Sequence, residues 1–154
     1  MNEKLWADPD KCTGCGICEL VCSFFREEQW THALSRIKII KDENSASYYQ
    51  LFCQQCDNPP CEIACLMNIV KKDSLTGKVT RNVQGCIGCR ACEVTCPLGG
   101  CFYNYEKEVV LNCDLCGGDP LCVKYCPEGA LYFKDSNAET SQRREAVFKK
   151  NVFY

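Results

Sequence analysis

The chain has 154 residues, 17 of them cysteine, and a formal charge of −2. That length bounds it to one compact domain or two small, intimately joined halves, and its acidic balance argues against nucleic acid as a partner. Setting cysteine aside lowers the apolar share from 46% to about 35%, thin for an interior filled by hydrocarbon alone.

The opening segment, MNEKLWADPDKC, has no apolar h-region and no twin-arginine pair, so no secretory signal is expected. No apolar run approaches the roughly 18 residues of a membrane span. The expected compartment is the cytoplasm, where abundant cysteine points to metal or redox chemistry rather than disulfides. The first cysteine motif, CTGCGICELVC, holds Cys12, Cys15, Cys18 and Cys22, and a short helix is expected after Cys15. Arg36–Lys41 alternates like a strand and Tyr48–Phe52 is its candidate partner. The second motif, CQQCDNPPCEIAC, holds Cys53, Cys56, Cys61 and Cys65, with a helix expected after Pro59. Ile69–Lys72 and Lys78–Arg81 flank SLTG and read as a hairpin, with Gly77 in its turn.

The third motif, CIGCRACEVTC (Cys86, Cys89, Cys92, Cys96), repeats the spacing of the first, with a helix expected after Cys89. Cys101 then stands outside every motif, a small free thiol expected to be buried. Glu108–Leu111 is a further strand candidate. The fourth motif, CDLCGGDPLCVKYC (Cys113, Cys116, Cys122, Cys126), resembles the second with one more residue in its middle gap. A helix after Asp119 and a strand at Ala130–Lys134 follow it. Residues 136–148 read as a capped terminal helix ending in the apolar NVFY, either a solvated helix or a docking arm for a partner.

Sixteen of the 17 cysteines thus fall into an A-B-A-B repeat. Three thiolates at i, i+3 and i+6 can wrap one cubane only if the backbone between them turns tightly. Gly14, Gly16, Gly85 and Gly88 suit such turns. Amides in those turns can point at cluster sulfurs and help carry their negative charge. Four oxidised clusters with sixteen thiolates would bring the loaded chain to about −10. A disulfide framework would leave one cysteine over. Structural zinc separates its ligand pairs by a longer stretch than the crowded first motif allows. No motif has lost a cysteine, so a decayed site is not expected either. In two-cluster ferredoxins a motif's last cysteine serves the other cluster of the pair, and sequence order alone lets the first motif pair with the second or with the fourth. Pro97 and Pro127 match the ferredoxin C-P ending, whereas Ser23 and Leu66 depart from it.

In this order and with these gaps, the motifs resemble the four-cluster ferredoxin-like electron-transfer subunits of molybdopterin and tungstopterin oxidoreductases, the dimethyl-sulfoxide-reductase iron–sulfur subunit family. The resemblance covers about Trp6 to Phe133, and LFCQQCDNPPC and NCDLC lie close to the family's pattern. The short length is more like the small subunit of a tungsten aldehyde oxidoreductase or tungsten benzoyl-CoA reductase. The resemblance implies an α+β fold of two ferredoxin-like halves, irregular and cluster-rich, with short strands and short helices. Residues 1–135 would form the four-cluster domain, the inner unit about 50–100 and the outer unit about 5–49 plus 101–135. Residues 136–154 would be a tail.

That family pairs its inner two motifs and, separately, its outer two. On that pattern Cys12, Cys15, Cys18 and Cys126 hold one [4Fe–4S] cluster, and Cys22, Cys113, Cys116 and Cys122 a second. Cys53, Cys56, Cys61 and Cys96 hold a third, and Cys65, Cys86, Cys89 and Cys92 a fourth. The implied function is relay of single electrons between a large catalytic subunit with a pterin-bound tungsten or molybdenum and an external carrier or further redox subunit. No dinucleotide fingerprint, P-loop or Ser–His–acid arrangement is present, and the single histidine, His32, reads as surface or loop. No catalytic residue is therefore expected in this chain. Trp6, Trp30, Phe24 and Phe25 are expected to pack over clusters and exclude water. A free diffusible polyferredoxin and a zinc-rich structural module are the alternatives.

Overall fold

The structure is a computed structural model that describes residues 3–135. The tail helix expected over 136–148 lies outside the described residues. Twelve short regular elements form an α+β fold. In chain order they are β1 (Glu3–Ala7), α1 (Ile17–Glu27), β2 (Ile37–Lys41), β3 (Tyr48–Phe52), α2 (Pro60–Ile63), β4 (Val70–Lys72), β5 (Val79–Arg81), α3 (Ala91–Val94), β6 (Cys101–Asn104), β7 (Val109–Asn112), α4 (Leu121–Lys124) and β8 (Leu131–Asp135). Three 3-10 turns, Pro9–Lys11, Val83–Gly85 and Leu115–Gly118, sit between them.

The strands form four separate antiparallel ribbons, β1 with β8, β2 with β3, β4 with β5 and β6 with β7. Ile37 faces Phe52 across the second ribbon, and Lys72 faces Val79 across the third, with Gly77 (φ 68°) in the connecting turn. Isoleucine, valine and aromatic residues suit these pleated, half-buried surfaces. Two-stranded ribbons are marginal alone, so each needs a core to lean on. The first ribbon joins Leu5 to Phe133 and Ala7 to Leu131, bringing the two ends of the described chain together.

Helix α1 runs 11 residues between two left-handed residues, Gly16 (φ 72°) and Glu28 (φ 55°). It buries Cys18, Glu19, Val21 and Ser23 and packs against α4, while α2 packs against α3. Each of the three later helices is a single turn that carries a motif's third cysteine inward.

Two cores result. Leu5, Ile37, Phe52, Leu115 and Leu131 surround Cys18 and Cys122 in one. Val70, Val79 and Val110 surround Cys53, Cys61, Cys92 and Cys101 in the other. Sulfur therefore replaces much of the missing hydrocarbon in both, as the thin apolar content required.

Strands β1 and β6 were not among the sequence expectations, while the other six lie within a residue or two of them. One close approach locks the second core. Gly100 follows the third motif where Ala130 follows the fourth. A β-carbon on Gly100 would come within 2.7 Å of Cys53 Cα and 2.9 Å of its nitrogen. At Gly129 (φ 58°) a β-carbon would meet nothing within 4 Å. Gly129→Ala should therefore cost only the left-handed penalty of about 1–2 kcal/mol. Gly100 is not left-handed, but Gly100→Ala meets backbone at 2.7–2.9 Å and should melt at a clearly lower temperature in anaerobic thermal denaturation. Equal melting temperatures for the two variants would show that the approach constrains nothing.

Candidate metal centres

All four motifs turn their backbone the same way. The second residue after each motif's first cysteine is left-handed: Gly14 (φ 71°), Gln55 (φ 50°), Gly88 (φ 68°) and Leu115 (φ 59°). Gly16 is also left-handed, but Gly85 is not. It lies in a 3-10 turn, where a β-carbon would sit 2.9 Å from Ile69 Cγ2. Gln55 and Leu115 bear the strain of about 1–2 kcal/mol without being glycine. Both are fully buried, so packing holds them in place. The Gln55 amide donates to the Cys113 carbonyl (2.8 Å) and accepts from Val79 N–H (2.6 Å), tying the second motif to the fourth.

The cysteines converge in four sets. Cys12, Cys15, Cys18 and Cys126 line one cavity of about 350 Å³ including its open mouth, with Ile39, Ala130 and Leu131 as hydrocarbon wall. Cys22, Cys113, Cys116 and Cys122 line a second, of about 410 Å³. Cys65, Cys86, Cys89 and Cys92 line another, of about 290 Å³, with Ile69, Ile87 and Val110. Cys56 lies close enough to Cys61 and Cys96 to feel their charge, and Cys53 to feel Cys56 and Cys61. Each set unites three thiols of one motif with the last thiol of another.

Neighbouring sets lie within reach of one another in order. Cys18 is in electrostatic reach of Cys122, Cys113 of Cys53, and Cys61 of Cys92. Backbone amides also turn toward sulfur. Arg36 N–H reaches Cys22 Sγ, Gly100 N–H reaches Cys96 Sγ and Ala130 N–H reaches Cys126 Sγ, each at 3.3 Å. Such bonds favour the thiolate and tune a metal bound to it.

Burial governs the unligated thiols. It pushes Cys18 and Cys122 up to about 12, Cys53 up to about 11, and Cys113 well above the ordinary thiol range. Protonated thiols are poor nucleophiles, so these sites stay inert until a metal displaces the proton. Around Cys101 the pattern reverses. Its thiol is buried in one cluster with Cys61 and Cys92 and packed against Cys96, and its nearness lowers those three and raises Cys101 itself. Cys101 is therefore a buried thiol packed between two thiol sets.

Among the described residues, no three His, Cys, Asp or Glu side chains converge tightly enough for a single ion. Sulfur quartets around hydrocarbon-walled voids, with amides aimed at the sulfurs, fit a larger thiolate-bound group such as a [4Fe–4S] cube. No helix among the described residues is long and apolar enough to cross a membrane.

Sequence reasoning missed one recurrent device. In three motifs the residue after the third cysteine is glutamate. Glu19 Oε1 accepts from Ile39 N–H (3.2 Å), Glu62 Oε2 from Lys72 N–H (3.0 Å) and Glu93 Oε1 from Tyr103 N–H (3.1 Å). Each carboxylate pins a cysteine-bearing helix to the strand that follows. The thrice-repeated Cys–Glu pair was the available signal; Val123 takes that place in the fourth motif and packs into the first core. His32 is on the surface as expected, yet its Nδ1 lies 2.9 Å from Glu19 Oε2 and its ring lies over Gly16. Of the aromatics, Phe25 lines the second cavity, whereas Phe24 and Trp30 stack on each other at 4.3 Å on the surface.

The chain matches the model of a 4Fe-4S dicluster domain over residues 45–136 and that of a 4Fe-4S binding domain over residues 3–24. It is 37% identical over 138 residues to the aliphatic sulfonate oxidoreductase, polyferredoxin-like subunit, of Pyrococcus furiosus, covering 83% of this chain and 75% of that one. It is 35% identical to the NADH-dependent phenylglyoxylate dehydrogenase subunit beta of Aromatoleum evansii, over 80% of this chain but 28% of that larger one. Among solved structures, a chain of the active site complex BamBC of benzoyl coenzyme A reductase, solved with zinc, superposes with a TM-score of 0.51 at 25% identity, covering 97% of this chain and 91% of that one.

The glutamate device is testable. Glu19→Ala removes a charged acceptor from a buried amide and should cost about 1.5–3 kcal/mol, read as a lower anaerobic melting temperature. Glu19→Gln keeps an acceptor oxygen and should lose less. Equal losses for the two variants would refute the pinning role.

Proposed function

The chain belongs to the 4Fe-4S dicluster family, whose members are iron–sulfur electron-transfer subunits of oxidoreductases, and from that premise we propose that it relays electrons through four [4Fe–4S] clusters in single file. Cys12, Cys15, Cys18 and Cys126 would hold the first cluster, and Cys22, Cys113, Cys116 and Cys122 the second. Cys53, Cys56, Cys61 and Cys96 would hold the third, and Cys65, Cys86, Cys89 and Cys92 the fourth. Bound there, each cluster would supply one-electron chemistry.

The observation that carries the reading is the order of the thiol sets. Cys18 and Cys122 share the first core, Cys113 packs against the core that holds Cys53, and Cys61 and Cys92 lie together in that second core. Of the 17 cysteines, the two exposed ones, Cys15 and Cys89, belong to the first and last sets. A line with open ends and a closed middle suits transfer between two outside partners. The residues around the middle exclude water: Leu115, Gln55 and Val79 are each 1% exposed or less.

We assign the ends to a large catalytic subunit with a pterin-bound tungsten or molybdenum and to an external carrier or further redox subunit, in the cytoplasm. The likeness to subunits named for sulfonate oxidoreductase and benzoyl-CoA reductase supports that assignment. We place an outer unit around the first two sets and an inner unit around the other two. The inner unit spans about residues 50–100 and the outer about 5–49 plus 101–135, while Cys101 and Val110 of the outer segment pack with the inner core.

Anaerobic reconstitution should load about sixteen iron and sixteen sulfide per chain, four of each for every cubane, with broad absorption near ~400 nm. Saturation at three clusters would refute the count. The pairing has its own check by electron paramagnetic resonance. Cys15→Ser and Cys126→Ser should disturb one and the same signal, and Cys22→Ser a different one that Cys116→Ser also disturbs. Purified from its native host, the chain should co-elute with a large partner on gel filtration; elution near its own mass would favour a free carrier.

A further inference from the structure

We propose that Arg81 sets the reduction potential of the inner thiol sets, as a cation shared between the third and fourth and placed to hold an electron there in preference to the outer pair. The proposal rests on the four-cluster reading above.

Arg81 ends β5, where the short hairpin delivers its guanidinium between the two inner sets. Its Nη1 donates to Cys92 Sγ at 3.1 Å, and Nη2 approaches Cys101 Sγ at 3.7 Å. Its Nε donates to Asn112 Oδ1 at 3.1 Å. The Asn112 amide in turn faces Cys53 Sγ at 3.8 Å and donates to the carbonyls of Val79 and Cys113 at 3.1 Å. One branch thus reaches the fourth set directly through Cys92. The other reaches the third set through Asn112 to Cys53.

What separates Arg81 from the arginines near the second set is its lack of a carboxylate. Arg26 Nη2 lies 2.5 Å from Asp114, and Arg36 lies 3.4 Å from Asp114 and 3.6 Å from Glu27. These acids offset part of that charge, Asp114 being shared by both arginines and Glu27 also pairing with Lys107. Among the described residues, no ion pair links Arg81 to a carboxylate, and its nearest partners besides Asn112 are the sulfurs of Cys92 and Cys101. An added electron makes a thiolate-bound cluster more negative. A nearby unneutralised cation in a partly buried site stabilises that state, whereas a neutralised one does little. The planar fork also fixes its N–H groups on sulfur, which a lysine ammonium does less well. The step is one electron in from the neighbouring set, oxidised by one electron, and one electron out, with no bond made and no proton moved.

The test is a redox titration of the full, anaerobically reconstituted chain, followed by electron paramagnetic resonance, with iron and sulfide counted on every sample. The fourth set's signal is the one that Cys89→Ser abolishes or converts. Arg81→Gln should keep the full iron complement and lower the midpoint of that signal by at least the tenfold change in constant that equals about 59 mV for one electron. The signals of the outer sets should move less, and Arg81→Lys should shift the fourth set less than Arg81→Gln does. Full iron with an unmoved midpoint, or an equal shift of every signal, overturns the proposal. Should Arg81→Gln shed iron, the unsubstituted chain decides. There the signal lost in Cys89→Ser must titrate above the signal lost in Cys15→Ser, and the reverse order overturns the proposal. A low iron count in the unsubstituted chain counts instead against the four-cluster reading, and leaves the comparison at the fourth set intact.

Discussion

The rest of the structure depends on one constraint: each group of three thiols is completed by a fourth from a distant stretch of chain. Cys126 meets Cys12, Cys15 and Cys18, and Cys22 meets Cys113, Cys116 and Cys122, so the two ends of the described chain are obliged to meet. The β1–β8 ribbon follows from that obligation, since once Cys12 and Cys126 share a cavity their flanking segments run side by side. The same exchange between the second and third motifs pulls α2 against α3 and wraps the β4–β5 hairpin around the join. Ribbons too small to stand alone persist because they hang from these cross-connections.

Much of this was legible in the residues, and what was not has identifiable causes. Spacing exposed the sixteen grouped cysteines, and alternation exposed β2 and β3. Strand β1 escaped because EKLWA shows no clear alternation and its partner lies 124 or more residues away. Strand β6 escaped because its first residue, Cys101, reads as a leftover thiol rather than as a buried strand position. Glycine marked the left-handed turns of the first and third motifs but could not mark those at Gln55 and Leu115, where tertiary packing overrides local preference. The relation between Cys101, Arg81 and the two inner sets was invisible for a similar reason: it depends on how a hairpin from one segment lands on a helix from another.

Charge is arranged as carefully as sulfur. Burial alone would leave Cys18, Cys53, Cys113 and Cys122 reluctant to ionise. Backbone amides offset part of that reluctance at each of them, helped at Cys53 by Asn112. Polar groups at the junction of the two cores, Gln55 and Asn112 above all, satisfy the carbonyls and amides that the tight turns leave without secondary-structure partners. Removing either would leave a buried polar group unpaired, which generally costs more than its hydrogen bond contributes.

The nesting of the thiol sets also fixes an order of completion on the ribosome. A nascent chain has all four cysteines of the third and fourth sets once Cys96 has emerged, whereas the first set waits for Cys126. Until then Cys12, Cys15 and Cys18 form an open half-shell, and the exposed Cys15 faces solvent without its opposing wall. The sets therefore become complete from one end of the line to the other, the fourth first and the first last. The terminal ligands close last, and the stretch between Cys22 and Cys113 must already be in place to be enclosed by them.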